Sequence, residues 1–212
     1  MRQRMLGRGV AVVIAISGLL LAVERAQFGP AADEAPQVDT PSFSVGDEWR
    51  WEGGGYPTFV RVVAFEGGNP VVESNLDPFC RDGCRYTWDK NLVTVSGTNK
   101  KGQPANPAPL KLLQFPLHVG KEWTQDIDLR TSGGFQRPFA NQWKAEAFED
   151  VKVKAGTFKA FRITWSQQNL GPYRWTGTCS MWWSPEVKAF IKRAVHSSDW
   201  GADWQLVSYT LK

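Results

Sequence analysis

The chain has 212 residues, 42% of them hydrophobic, with 25 Lys and Arg against 21 Asp and Glu, 20 Gly, 13 Pro and 11 Trp. That composition is too apolar for a disordered polypeptide and shows no collagen or solenoid repeat; the length suits one domain or two small ones. Most of the formal charge of +4 belongs to the first 25 residues: setting aside Arg2, Arg4, Arg8, Arg25 and Glu24 takes 25 basic and 21 acidic side chains down to 21 and 20. A nearly neutral body has no electrostatic footprint for a polyanion, so no nucleic-acid partner is expected.

Arg2, Arg4 and Arg8 precede an uncharged run from Val10 to Val23, which Glu24 and Arg25 end. This is the layout of a secretory signal peptide. The run is shorter than the roughly 20 residues that span a bilayer core, which favours a cleaved N-terminal signal helix within residues 1–26. No clean small-residue cleavage site follows it, so an uncleaved anchor is the alternative, and membrane contact is expected only through this segment. Either way the body is exported, to the periplasm, the cell envelope or the extracellular medium. No Cys follows the apolar run as a bacterial lipoprotein would require. Residues 27–41 contain Gly29, Pro30, Pro36 and Pro41 without any period of 2 or 3.6 and predict a disordered linker. A single antiparallel β domain is expected over residues 42–212.

Cys80 and Cys84 flank Asp82-Gly83, a pair that favours a tight turn and brings the two Cα atoms within disulfide range. A Cys80–Cys84 bridge is expected, with a local contribution because the closed loop is small. The competing reading, a metal knuckle, has poor zinc spacing and only His118 and His196 to complete it, so no metal is expected. Cys179 falls on the apolar side of a strand, where a buried free thiol is the ordinary outcome.

Period-two alternation dominates the body. Trp49 and Trp51 alternate with Glu48, Arg50 and Glu52, and from Tyr173 to Trp183 the residues Trp175, Gly177, Cys179, Met181 and Trp183 share one face. The strand from Phe59 to Phe65 has apolar residues on both faces and is expected to bury both. Further strands are predicted at Val71–Ser74, Arg85–Asp89, Asn91–Val95, Leu110–Phe115, Glu122–Leu129, Gln142–Val153, Thr157–Ser166, Lys188–Val195 and Trp204–Leu211. Gly, Pro, Asn and Ser clusters separate nearly all of them. Short strands, tight turns and no crossover helices predict an all-β fold, an antiparallel and strongly curved sheet forming an open or partial β-barrel.

Val45-Gly46-Asp47-Glu48-Trp49 and Val119-Gly120-Lys121-Glu122-Trp123 repeat the pattern Val-Gly-x-Glu-Trp at an offset of 74 residues. A Gly ahead of an amphipathic strand marks a bend that delivers the chain into a sheet. The second copy belongs to a longer pattern: Phe115-Pro116-Leu117-His118-Val119-Gly120-Lys121-Glu122-Trp123, then Val153-Lys154-Ala155-Gly156-Thr157-Phe158, then Trp182-Trp183-Ser184-Pro185-Glu186-Val187. This pattern resembles the TapB-like family of exported bacterial β-domain proteins of unknown function, over roughly residues 115 to 195. Lys188 stands where the family pattern has Gly. The resemblance implies an exported antiparallel sheet that curls into an open barrel, and it assigns no catalytic residue.

Signatures of chemistry are missing: there is no His-Glu-x-x-His, Gly-x-Ser-x-Gly, phosphate-binding Gly loop or dinucleotide fingerprint, and no cofactor is expected. His118 and His196 lie near sheet ends, where histidines are ordinarily hydrogen-bonded or solvated bystanders. Glu146, Glu149, Asp150, Asp126 and Asp128 read as carboxylates facing water. Asp199 and Asp203 are too few for the roughly six to eight oxygens that calcium takes. Tryptophan is the remaining clue. Trp49, Trp123, Trp143, Trp165, Trp175 and Trp183 are expected in the core. Trp182 lies on the polar face beside Arg174, and Trp200 and Trp204 lie in or near a loop, so these four are the expected ligand-binding surface. The leading reading is a non-enzymatic exported module that binds an apolar or amphiphilic ligand, or a protein partner, on its concave face. A carbohydrate or cell-wall binding module using exposed Trp is the alternative. A hydrolase is third, since no nucleophile, base and orienting group can be named.

Overall fold

The computed structural model describes residues 35–76, 80–104, 109–130, 136–172, 174–197 and 201–212. The expected signal segment, and the expected linker up to residue 34, lie outside them. The period-two segments become β1 (Glu48–Gly53), β2 (Thr58–Glu66), β3 (Asn69–Ser74), β4 (Cys84–Trp88), β5 (Thr94–Asn99), β6 (Glu122–Arg130), β7 (Gln136–Val153), β8 (Gly156–Asn169), β9 (Trp175–Ser184), β10 (Ala189–Val195) and β11 (Trp204–Thr210). They form one antiparallel sheet in the order β5-β4-β3-β2-β1-β11-β10-β9-β8-β7-β6. Two meanders, β1–β5 and β6–β11, are thus joined where β1 pairs with β11. The outer strands β5 and β6 do not pair with each other, so the sheet is an open, partial barrel. Register shifts at Arg50/Trp51, Val62/Ala64, Ala145/Ala147 and Phe190/Lys192 place the extra residue of a bulge in β11, β2, β7 and β10. Bulges bend and twist the strands that carry them, and these supply curvature on both sides of the junction.

The two Val-Gly-x-Glu-Trp copies open β1 and β6 in the same way. Gly46 and Gly120 have φ of 96° and 88°, a region that glycine reaches without steric cost. Asp47 N–H bonds Ser44 O at 3.0 Å and Lys121 N–H bonds His118 O at 3.2 Å, closing the two turns. Each glycine N–H then donates to the neighbouring strand, Gly46 to Val62 O and Gly120 to Ala145 O. The turn at Ala155-Gly156 joins β7 to β8 as a hairpin, with the glycine at φ 146°.

Two expected strands are corrected. Leu110–Phe115 forms no ladder; its main-chain groups bond side chains instead, Lys111 N–H to Gln125 Oε1, Phe115 N–H to Asn91 Oδ1 and Trp123 Nε1–H to Lys111 O. It is part of a strap, residues 109–121, that leads from the β5 side of the sheet to β6. Asn91–Val95 is largely a turn, because the Asp89 carboxylate accepts the N–H groups of both Asn91 and Val93, and Leu92 takes φ 58°. Strand β5 therefore starts at Thr94. The expectation that β2 buries both faces also fails: Val60 and Val62 are buried, but Phe65 is 44% exposed. Within the stretch expected to be linker, Val38 bridges Leu117 through N–H···O bonds of 2.8 and 2.7 Å.

One core cluster centres on a cross-strand row of indoles, Trp123, Trp143 and Trp165, which the register aligns on β6, β7 and β8. The rings stack with centroid separations of 6.0 and 5.8 Å and interplanar angles of 9° and 19°. Leu113 and Leu117 of the strap, both buried, complete it. The second cluster joins Trp49, Trp51, Val60 and Val62 to Val151, Val153 and Phe158 at the tip of the β7–β8 hairpin. Trp175, expected in the core, is only half-buried, while Trp51 is buried as well as Trp49. Cys80 and Cys84 form a disulfide with a Cα–Cα distance of 5.5 Å, and Cys179 is a buried free thiol.

Trp143 is fully buried and its Nε1–H has no partner among the described residues. Trp143→Ala is expected to lower unfolding free energy by about 3–5 kcal/mol in urea titrations. Trp143→Phe should cost far less, because it also removes the orphan donor. Cys84→Ser should cost no more than about 2 kcal/mol, the chain-entropy value for so short a loop.

Candidate ligand cavity

The site begins with the alternation in β1. Trp49 and Trp51 point to one face, and each indole N–H crosses to the main chain beyond β11: Trp49 Nε1 donates to Val187 O and Trp51 Nε1 to Phe190 O, both at 2.7 Å. With their polar atoms satisfied, the two rings present only carbon to the space in front of them. Met181 and Trp183 of β9, Thr58 and Val60 of β2, and Leu112 and Leu113 of the strap close round that space. Phe115 props Trp183 edge-on at 5.4 Å, and Trp204 of β11 meets Trp51 edge-on at 6.2 Å at the other end. The cavity is about 520 Å³, inside the range of small-molecule sites.

Among the described lining residues there is no Asp or Glu, and the charged ones are Lys188 and Arg193. Lys188 has φ 60°, the left-handed conformation that favours glycine, at the position where the TapB-like pattern carries one. Its side chain offsets the strain: Nζ lies 3.6 Å from Oδ2 of Asp47, a fully buried carboxylate that also accepts the N–H groups of Ser44 and Lys212. Arg193 stands at the border between the cavity and an adjoining polar groove formed by Glu52, Lys152, Lys192 and Asp203. Burial pushes the Cys179 thiol up, and the nearby Arg193 guanidinium, to which it is hydrogen-bonded, partly offsets this.

Of the four expected binding residues, the structure brings one to the cavity. Trp204 lines it. Trp182 sits on the opposite face from Trp183, half-buried, with its Nε1–H on Glu149 Oε1 at 2.8 Å and Lys192 Nζ 5.1 Å from its ring centre. Arg174 is exposed ahead of β9 and does not line the cavity. Trp200 lies outside the described residues. Trp51, Lys188, Arg193 and the strap leucines were not singled out from the sequence. Trp51 was legible from its alternation with Trp49, but the others owe their places to a glycine-like turn, a bulge and a segment misread as a strand.

The outer face is polar and tied to itself. Burial pushes the Glu48 carboxyl up, but Arg61 and Arg50, each 2.5 Å away, outweigh it and leave Glu48 below its ordinary value. His196 Nε2 meets Ser180 Oγ at 2.8 Å, and His118 Nδ1 lies 2.9 Å from Val119 O; neither histidine lines the cavity. Among the described residues no group of three or more His, Cys, Asp and Glu side chains could hold a metal ion.

Lys188→Gly separates the two effects at that turn. Relief of a left-handed non-glycine residue stabilises by about 1 kcal/mol, whereas stranding a buried carboxylate costs about 3–5 kcal/mol, less here because Lys188 is partly exposed. A net loss of about 1–3 kcal/mol is expected in thermal or urea unfolding; a gain would show that backbone strain dominates.

No family model matches the chain and no curated protein matches it, so the TapB-like resemblance is carried by its motif residues alone. Solved structures similar to it include a protein described as a lipoprotein from Parabacteroides distasonis, at 11% identity and a TM-score of 0.49, covering 82% of this chain and 100% of that one. The hypothetical lipoprotein YmcC of Escherichia coli has 12% identity and a TM-score of 0.44, covering 82% of this chain and 90% of its own. A protein from Bacteroides fragilis described as exported, with a YmcC-like fold, has 10% identity and a TM-score of 0.39, with 82% and 100% coverage.

Proposed function

We propose that this protein is an exported, non-enzymatic β module that holds an apolar or amphiphilic ligand in the cavity between β1, β9 and the strap. The observation that carries this reading is the cavity itself: about 520 Å³ of space, walled by indole rings and leucines, remains within the fold. A curved sheet packed only for stability fills its concavity with its own side chains, as the Trp123, Trp143 and Trp165 row does in the other half. Export is supported by the basic and apolar N-terminal layout and by the Cys80–Cys84 disulfide, a bond that persists in oxidising compartments. The carbohydrate alternative has less support, because Trp182 has its N–H bonded to Glu149 and a lysine over its ring rather than an open flat face.

The test uses a neutral apolar fluorophore, N-phenyl-1-naphthylamine, titrated into protein recovered from the exported fraction and stripped of lipid. Saturable binding at one site per chain is expected. Leu112→Trp, which adds bulk from the strap side, should weaken it at least about tenfold. Native mass spectrometry of unstripped protein should show a retained adduct that the variant loses. Absence of saturable binding by the wild-type chain would end the ligand-holder reading.

A further inference from the structure

Resting on the cavity reading above, we infer that the ligand is uncharged: the cavity takes a neutral lipid or another neutral apolar molecule and turns away anionic and cationic ones. The reason lies in where the polar groups of the wall are spent. The indole N–H groups of Trp49 and Trp51 go to Val187 O and Phe190 O, so a guest lying against these rings meets carbon. The two cations of the described lining are committed as well. Lys188 Nζ lies 3.6 Å from Oδ2 of Asp47, a carboxylate with no exposure whose other bonds come from the neutral N–H groups of Ser44 and Lys212. An anionic guest could take Lys188 only by leaving that carboxylate buried without its cation.

Arg193 is engaged by its own surroundings, the Cys179 thiol among them. A cationic guest fares no better than an anionic one, because the described lining offers no Asp or Glu to receive it. The polar groove beyond Arg193 presents Glu52 and Asp203 together with Lys152 and Lys192. A charged head group that reaches the groove therefore meets its own sign as readily as the opposite one. Carrying a charge into the cavity strips it of water without giving it a partner, whereas a neutral chain leaves water for walls of indole and leucine.

The experiment displaces bound N-phenyl-1-naphthylamine with three dodecyl compounds, each held below its critical micelle concentration: neutral dodecanol, anionic dodecyl phosphate and cationic dodecyltrimethylammonium. Dodecanol is expected to displace the probe at a concentration at least about tenfold lower than either ion. Asp47→Asn separates this effect from a general preference for uncharged molecules, because it releases Lys188 from its carboxylate. In that variant the gap between dodecanol and dodecyl phosphate should narrow by at least about threefold, while the gap to dodecyltrimethylammonium does not narrow. An ion of either sign that displaces the probe as well as dodecanol does in the wild-type chain overturns the inference and leaves the cavity standing. A phosphate gap unchanged in Asp47→Asn overturns it too, since exclusion would then owe nothing to the pairing of Lys188. Failure of the probe itself to bind overturns the cavity reading instead. Probe binding by Asp47→Asn reports that its cavity is intact, and if that variant does not fold the wild-type comparison decides alone.

Discussion

Two indole N–H groups hold this architecture to its shape. In a flat sheet the strands flanking β11 lie about 10 Å apart, beyond comfortable reach of a tryptophan on one of them to the main chain of the other. Trp49 and Trp51 nevertheless donate to Val187 O and Phe190 O across β11, which requires that the sheet be curved on that side. The bulge opposite Arg50/Trp51 lies in β11, the strand these bonds cross, and that at Phe190/Lys192 in β10, the strand that Trp51 reaches. Curvature, indole bonds and the cavity are thus one feature seen at three levels. It also lies where the first and last strands of the domain meet, so the junction of the two meanders and the wall of the cavity are built from the same residues.

The junction is sealed at one end by a buried charge. Asp47 accepts the Ser44 N–H within its own turn and the Lys212 N–H at the end of the described chain, and it faces Lys188 from the β9–β10 connection. A carboxylate without exposure is tolerated only when its oxygens are hydrogen-bonded and a cation is near, and here three separate segments supply those groups. This accounts for a lysine in a backbone conformation that glycine would adopt more easily. The side chain does work that glycine could not, at a cost in backbone strain smaller than that of an uncompensated carboxylate.

Much of the fold was legible because alternation is a local signal. The faces of β9 and β1, the Gly156 hairpin and the disulfide follow from neighbours in sequence, and so does the equivalence of the Gly46 and Gly120 turns. What escaped was decided by long-range pairing. Leu110–Phe115 is as apolar and extended as a strand, but its hydrogen bonds go to Gln125 and Asn91 side chains, partners that no local pattern reveals. The cavity escaped for the same reason: it needs the strap, β1 and β9 in one place. Trp182 shows the opposite error. Its position on a polar face suggested an open platform, but Glu149 on β7 and Lys192 on β10 occupy its N–H and its ring face.

The two halves of the concave face start from the same motif and end differently, and the difference lies in what receives the leading tryptophan. In the second copy, Trp123 donates to Lys111 O, so the strap is drawn down against β6 and its Leu113 and Leu117 fill the space beside the indole row. In the first copy the equivalent donor of Trp49 is spent on Val187 O, in the connection between β9 and β10. Leu112 and Leu113 also line the cavity on that side. The two copies of Val-Gly-x-Glu-Trp therefore differ in the acceptor of the leading indole, and the packed indole row lies on the side where that acceptor is a strap carbonyl.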